Sequence, residues 1–292
     1  MAIVPAPAAN SDSISVVNQP VLTSPADSTA IDSLLSADPI ATDLDLPEIT
    51  DVPDPNQPPT HWVTPTRDST FILETFDYPQ FLNSYPDIWE GHSGRLYLKT
   101  SRAEVYYRIQ KEGDNFYLSA QTDNKAVNFG REAKVTYRGR ESEANLRLHQ
   151  KLRWRWRVHD LPEGADETDG DKNDSAAAVR LVFGTSPWSG KSLKYIWSAT
   201  LPIGTVIKSR NQYVIVLRSG TENLAEWVWE EVNAYEDYRR LFGGDPRKVD
   251  LLGLLTDSNN TKSFVKADYD DITFIIPRPT AEMIPDFMLE KP

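Results

Sequence analysis

The sequence predicts an all-β fold, two antiparallel sheets packed as a jelly-roll-like sandwich, and three observations carry that expectation. The first is the stretch Lys151-Leu152-Arg153-Trp154-Arg155-Trp156-Arg157-Val158, which alternates without error. Successive side chains leave opposite faces of a β-strand. Leu152, Trp154, Trp156 and Val158 therefore share one face, and Lys151, Arg153, Arg155 and Arg157 the other. A helix would scatter both sets around most of its circumference. The second is a run of short apolar segments separated by turn residues: Glu112-Gly113-Asp114-Asn115, Arg138-Gly139, Ser189-Gly190, Ser219-Gly220 and residues 257–260. The third is that only Ala234–Phe242 reads as a helix in the aromatic-rich part of the chain. Many short strands with few helices make a sandwich.

In chain order, residues 1–61 stand apart from the sandwich as an arm. Residues 1–60 hold ten prolines and nine acids, with no Lys, Arg or aromatic residue. Such a segment buries too little apolar surface to offset its ordering entropy, so it is expected to be disordered or extended. Within it, Ile31, Leu34 and Leu35 fall at helical spacing behind a Ser28 or Thr29 cap. Alone this is a transient turn; against a partner it is a docking motif. Aromatic residues begin at Trp62, and the sandwich is expected over 62–276, with strands at 71–76, 95–100, 103–109, 116–121, 133–137, 146–158, 176–183, 193–198, 213–218, 226–232, 251–256 and 272–276. The helix has Asn233 as N-cap, Glu236 and Asp237 early, Arg239 and Arg240 late, and Gly243-Gly244 to stop it. Residues 277–292 form a proline-punctuated tail.

The chain is −12 overall, but the arm alone carries −9, leaving the remainder near balance at −3. General nucleic-acid binding is not expected from such a chain. Cysteine is absent, which excludes disulfides, thiolate metal sites and cysteine nucleophiles. No apolar run approaches the roughly 18–20 residues needed to span a bilayer. Residues 1–10 lack a basic n-region and are broken by Pro5 and Pro7, so they are not a secretory signal. The expectation is a periplasmic or cell-surface protein whose signal has been removed.

Four tryptophans form two W-x-W pairs, Trp154/Trp156 and Trp227/Trp229. The simplest expectation puts both pairs in the core. The alternative is an aromatic platform on which a flat ligand such as a sugar stacks, with Arg153, Arg155 and Arg157 tilting it toward an anionic glycan. Residues 131–157 hold nine Lys or Arg against three Glu, the one strongly basic stretch. An arginine row on a sheet face is either a cross-strand ladder with carboxylates such as Glu230 or an anion site. Residues 166–174 look like a calcium loop, but the glycine comes too early if Asp169 leads, and Arg180 stands where a bidentate Glu belongs. A solvated hairpin loop is the better reading. Histidine spacing, nucleophile elbows and phosphate loops suggest no hydrolytic site, and no acid pair stands out as catalytic.

Several motifs in order resemble one family. They are Leu152-x-Trp154-x-Trp156-x-Val158, Leu161-Pro162-x-Gly164-Ala165-Asp166, Asp174, Ala176-Ala177 to Val182-Phe183, and Tyr195-x-Trp197-Ser198. After Ser219-Gly220 come Asn233-x-x-x-Asp237-Tyr238-x-x-x-Phe242-Gly243, Thr256-Asp257-x-x-Asn260-Thr261 and Asp271-Ile272. Over about residues 70–276 they resemble the bacterial, usually exported family called domain of unknown function 3047. That resemblance implies a sandwich like those of carbohydrate-binding modules, of the galactose-binding type, with no established activity. The chain departs from the family pattern by carrying Ala178 and Val232 where arginines are implied. Sandwich modules of this type often hold a structural calcium between the first and last strands, and Glu74 and Asp271 occupy those places. The leading functional expectation is a non-enzymatic accessory subunit that holds a protein partner, or sits in a larger assembly, through the sandwich and its arm, with Ile31, Leu34 and Leu35 as anchor. The alternative is a carbohydrate-active protein, an anionic-glycan-binding module or a glycoside hydrolase or lyase, with Arg153, Arg155, Arg157, Trp227 and Trp229 on the ligand. The two differ in whether the tryptophans face solvent.

Overall fold

A computed structural model describes residues 15–17, 69–93, 96–98, 105–147, 149–184, 190–246 and 248–276. The helical spacing at Ile31, Leu34 and Leu35, and the tail 277–292, lie outside these residues. The strands are, in order, β1 (Ser15–Val17), β2 (Ser69–Glu74), β3 (Glu90–Ser93), β4 (Leu96–Leu98), β5 (Tyr107–Glu112) and β6 (Asn115–Asp123). Then come β7 (Asn128–Glu132), β8 (Lys134–Tyr137), β9 (Arg140–Glu143), β10 (Lys151–Asp160), β11 (Ala177–Phe183) and β12 (Lys191–Ser198). The last are β13 (Val206–Ser209), β14 (Gln212–Ser219), β15 (Val228–Asn233), β16 (Leu251–Leu255) and β17 (Phe264–Ile276), with one helix, α1 (Ala234–Phe242), after β15. Among the described residues no helix is long and apolar enough to cross a membrane.

These strands make two sheets. The first runs β1-β13-β14-β12-β11-β16-β7-β3-β4; the second runs β15-β10-β17-β2-β8-β9, with β6 and then β5 added beside β17. Pairing is antiparallel except between β12 and β14, which run parallel because β13 lies between them in sequence and pairs on the outside. The two inner faces meet over one core. Leu152, Trp154, Trp156 and Val158 are wholly buried there, as the alternation of β10 requires. Trp154 packs on Tyr195 of the opposite sheet at 5.8 Å between ring centroids, and Trp156 on Trp197 at 6.1 Å. Burying two indoles of roughly 150–250 Å² removes enough apolar surface to anchor both sheets on a single strand.

Strand β17 organises the second sheet. It pairs with β10 over residues 266–275, while its other edge is shared: residues 264–269 pair with β6 and 272–276 with β2. The exchange falls at Asp270 and Asp271, where Asp271 adopts φ of +51°, a left-handed conformation that aspartate tolerates better than most residues. Helix α1 begins as the sequence predicts. Asn233 accepts a hydrogen bond from the Glu236 amide at 3.0 Å, and Gly243, at φ +69°, ends it.

Segment 161–176 corrects the expectation of a solvated hairpin. It crosses from β10 in one sheet to β11 in the other and lies on the outer face of the first sheet. Asp174, wholly buried, accepts from the Asn260 and Thr261 amides and the Thr261 hydroxyl. Asp166 Oδ1 accepts from the Thr168 amide and hydroxyl, and Asp169 Oδ1 from the Asp171 amide. Three of the carboxylates that imitate a calcium loop, those of Asp166, Asp169 and Asp174, are thus spent on tying the loop down.

Candidate functional site

The outer face of the second sheet carries the predicted ligand residues. Because β10 buries its even-numbered side, Lys151, Arg153, Arg155 and Arg157 point outward between β15 and β17. Register does the rest. Arg155 is opposite Trp229 on β15 and Asp270 on β17; Arg157 is opposite Asp268. Directly paired residues in antiparallel strands share a face, so Trp229, and Trp227 two residues before it, stand beside the arginines. The expectation that Trp227 and Trp229 are core residues is therefore corrected. Trp227 is half-buried and Trp229 is 40% exposed.

Guanidinium and indole alternate along this face. The Arg153 guanidinium carbon lies 4.4 Å from the Trp229 ring centroid, Arg155 4.9 Å from that of Trp227, and Arg157 4.6 Å from Trp227 and 5.3 Å from Tyr117. Tyr117 meets Trp227 edge-on at 5.4 Å. Contacts of this kind contribute roughly 0.5–1 kcal/mol each where exposed.

The charges are unevenly matched. Arg155 reaches Asp270 at 2.6 Å and Asp271 at 2.9 Å. Arg157 reaches Asp268 at 2.9 Å and Glu112 at 3.1 Å, and Lys151 reaches Glu231 at 2.8 Å. Asp268 also takes His159 Nε2 at 2.7 Å. Among the described residues no carboxylate pairs with Arg153 or with Lys266 of β17. Burial raises the Asp270 pKa, the neighbouring Asp271 charge adds to the rise, and Arg155 opposes it. The ladder acids come from β17, from Glu112 of β5 and from Glu231, not from Glu230. Glu230 points inward to accept from Arg218 at 2.6 Å and from Trp156 Nε1 at 3.1 Å.

Beside Tyr117 a groove of about 190 Å³ continues across the sheet. Tyr106, Arg108 and Gln110 line one side, Ser119 and Gln121 the floor, and Lys266 the end nearest β10. Nothing in the sequence singled out these residues. Their signal is only the polar half of two alternating strands, which is shared by any solvated face.

Glu74 and Asp271, the pair considered for calcium, do not suit a cation. The Glu74 carboxylate already accepts from the Thr75 and Phe76 amides, Tyr78 OH, Trp89 Nε1 and Arg131 Nη1. Asp271 faces Arg155. Oxygen atoms saturated by N–H and O–H donors are not free to ligate an ion. Ala178 and Val232 share no surface either. Ala178 lies in a small apolar cluster on the outer face of the first sheet, whereas Val232 packs against the common core.

Comparison with known proteins follows this geometry. The chain is similar in structure to a family 30 carbohydrate-binding module of a cellulosomal cellulase from Clostridium thermocellum, with 12% identity over 72% of this chain and 99% of that one, at a TM-score of 0.38. It is also similar to the xyloglucanase domain of NopAA from Sinorhizobium fredii, at 9% identity over 65% and 95% of the two chains and a TM-score of 0.35. TmCBM61, solved with β-1,4-galactotriose, matches at 7% identity over 64% and 86%, with a TM-score of 0.29. No match was found among curated proteins. The family described as "Protein of unknown function (DUF3047)" matches residues 94–273, well over half of the sequence and nearly the whole sandwich, and the chain belongs to that family.

Proposed function

We propose that the outer face of the second sheet is a binding surface for an acidic polysaccharide. The observation that carries this reading is the juxtaposition, on one sheet face, of a half-open indole, Trp229, with an arginine that has no acid, Arg153, and a polar groove ending at Lys266. Aromatic rings offer apolar faces to the C–H side of a sugar ring. Gln110, Gln121, Ser119 and Tyr106 supply donors and acceptors for its hydroxyls. Arg153 and Lys266 supply positive charge for uronate carboxylates. Binding is favoured over hydrolysis because Asp268 and Asp270, the acids central to the face, are buried and held by Arg157 and Arg155. Neither is offered to a glycosidic oxygen. The protein-partner reading depends on Ile31, Leu34 and Leu35 and draws no support from the described residues.

Affinity electrophoresis of the full chain through gels containing polygalacturonate, alginate or neutral xyloglucan tests the proposal. Retardation is expected in at least one acidic gel and should fall as salt shortens the Debye length from about 10 Å at 0.1 M to about 3 Å at 1 M. Trp229→Ala and Lys266→Ala should each weaken retardation at least tenfold with little change in melting temperature. Equal mobility in every gel, or retardation indifferent to both substitutions, would refute it.

A further inference from the structure

A second polar site lies on the opposite side of the molecule, on the outer face of the first sheet. There Arg180 and Lys194 sit opposite each other on β11 and β12, and Lys194 is opposite Val214 on β14. Segment 161–176 crosses above them and leaves a cavity of about 70 Å³ between loop and sheet. Lys194 and Gln212 form its floor, Ile207 and Val214 an apolar side, and Glu167 and Ser175 its roof.

Three polar groups here are more than nine-tenths buried and incompletely used. Lys194, 8% exposed, has no ion pair or hydrogen bond among the described residues. Glu167, 5% exposed, accepts from the Ser198 hydroxyl through Oε2 at 2.6 Å, while its Oε1 has no partner. Ser175, wholly buried, has no partner for its hydroxyl at hydrogen-bonding distance, though it lies close enough to Glu167 to help lower that acid's pKa. Burial lowers the Lys194 pKa and raises that of Glu167, as expected of charges held out of water. Leaving an ammonium and a carboxylate oxygen buried without hydrogen bonds is costly even with opposite charges nearby, whereas the buried carboxylates of Asp174 and Glu74 are held by several donors each.

The donor and acceptor set specifies a ligand. Lys194 and Ser175 together suit a carboxylate, and Glu167 Oε1 suits a hydroxyl that donates. A metal cation is disfavoured by the Lys194 ammonium, and a dianion by Glu167 and by Asp257, whose charges act on Lys194. A water-sized occupant needs about 10–15 Å³ of such volume, so the cavity holds about five non-hydrogen atoms. We propose that this cavity binds a small 2-hydroxycarboxylate, its carboxylate on Lys194 and Ser175 and its hydroxyl on Glu167. The site is independent of the polysaccharide face and stands or falls separately from it.

Calorimetric titration of the full chain with glycolate, acetate and inorganic phosphate tests it. Glycolate, with five non-hydrogen atoms, is expected to bind at least tenfold more tightly than acetate, which lacks the hydroxyl, or phosphate, which brings a second charge. Lys194→Met should abolish glycolate binding, and Ser175→Ala should weaken it about tenfold. Glu167→Gln should erase the preference for glycolate over acetate by less than Glu167→Leu does, because the amide keeps an acceptor oxygen. Should Lys194→Met fail to fold, Ser175→Ala still decides. Equal affinity for glycolate and acetate, or binding that survives both substitutions, overturns the proposal. No binding of glycolate at millimolar concentration overturns it too, and assigns the cavity to water.

Discussion

Arg155→Met removes the charge at the centre of the ladder and leaves a side chain of similar length. Its guanidinium lies 2.6 Å from Asp270 and 2.9 Å from Asp271. At an effective dielectric of about 20, two unit charges at these separations attract by about 6 kcal/mol each. Desolvation cancels most of that, and removing one partner of a buried pair costs about 3–5 kcal/mol because the other charge stays behind. That loss is expected at pH 9. At pH 5 it should be smaller, and the sign follows from Asp270. Its folded pKa is raised above its unfolded one, so it contributes stability that is full below the unfolded pKa, near 4, and is lost as pH rises through the folded pKa. Without Arg155 the folded pKa climbs further, which steepens the loss on the alkaline side. Urea midpoints at pH 5 and pH 9, for the natural chain, Arg155→Met and Arg155→Met/Asp270→Asn, measure this. The double variant should recover much of the alkaline loss. A loss below about 1 kcal/mol, equal at both pH values, is what an exposed pair would give, and it would refute the claim that burial makes this ladder strong.

His149 is buried, its pKa is lowered to about 4 by that burial, and its Nδ1 accepts from the Asn145 amide at 3.1 Å. The unfolded chain therefore binds a proton that the folded one refuses. About 3 kcal/mol should be lost as pH falls from about 6.5 to 4; His149→Phe, packed between Phe71 and Phe274, should flatten that slope in chemical denaturation, and an unchanged slope would contradict it. Trp154→Ala and Trp156→Ala should each cost about 3–5 kcal/mol in the same assay, as truncations of large core aromatics do. The phenylalanine versions should differ. Trp154 Nε1 has no partner, whereas Trp156 Nε1 donates to Glu230, so Trp156→Phe should cost about 1 kcal/mol more than Trp154→Phe; equal costs would mean the Glu230 contact contributes nothing.

Much of the fold was legible because period-two alternation survives wherever one face is buried and the other wet. Strand β10 shows it plainly, and α1 was legible from its cap, its charge order and its glycine stop. What stayed hidden has identifiable causes. The sequence predicts only residues 272–276 of β17 as strand, because Asp268, Asp270 and Asp271 are poor strand formers in the residues before. Their reason for being in a central strand, Arg155 and Arg157, sits more than a hundred residues earlier. Strand β7 is obscured by Asn128 and Gly130. Gly130 and Gly253 face each other across β7 and β16, and a side chain at Gly253 would meet Arg180 at 3.6 Å. Strands β9 and β13 are too short, at four residues each, to show a period.

The two W-x-W pairs show where composition stops informing. By hydropathy Trp227/Trp229 and Trp154/Trp156 are equal candidates for the core. The residues between them separate the pairs. In β10 arginines alternate with the indoles, and only one set can be buried. In β15 the intervening residues are Val228, Glu230 and Val232, two of which pack against the core, while Glu230 is drawn inward by Arg218 and Trp156. Once β15 lies at the edge beside β10, Arg155 opposite Trp229 forces both to one side, and that side is already the arginine face. The outward indoles thus follow from register, a property of the pair of strands that neither sequence carries alone. The same register sets Arg153 opposite Glu231, but that carboxylate is taken by Lys151 at 2.8 Å, and the Arg153 guanidinium lies instead over the Trp229 ring at 4.4 Å. That is why a cation without a carboxylate and an indole open to solvent arise at one point, and why the binding surface is sought there.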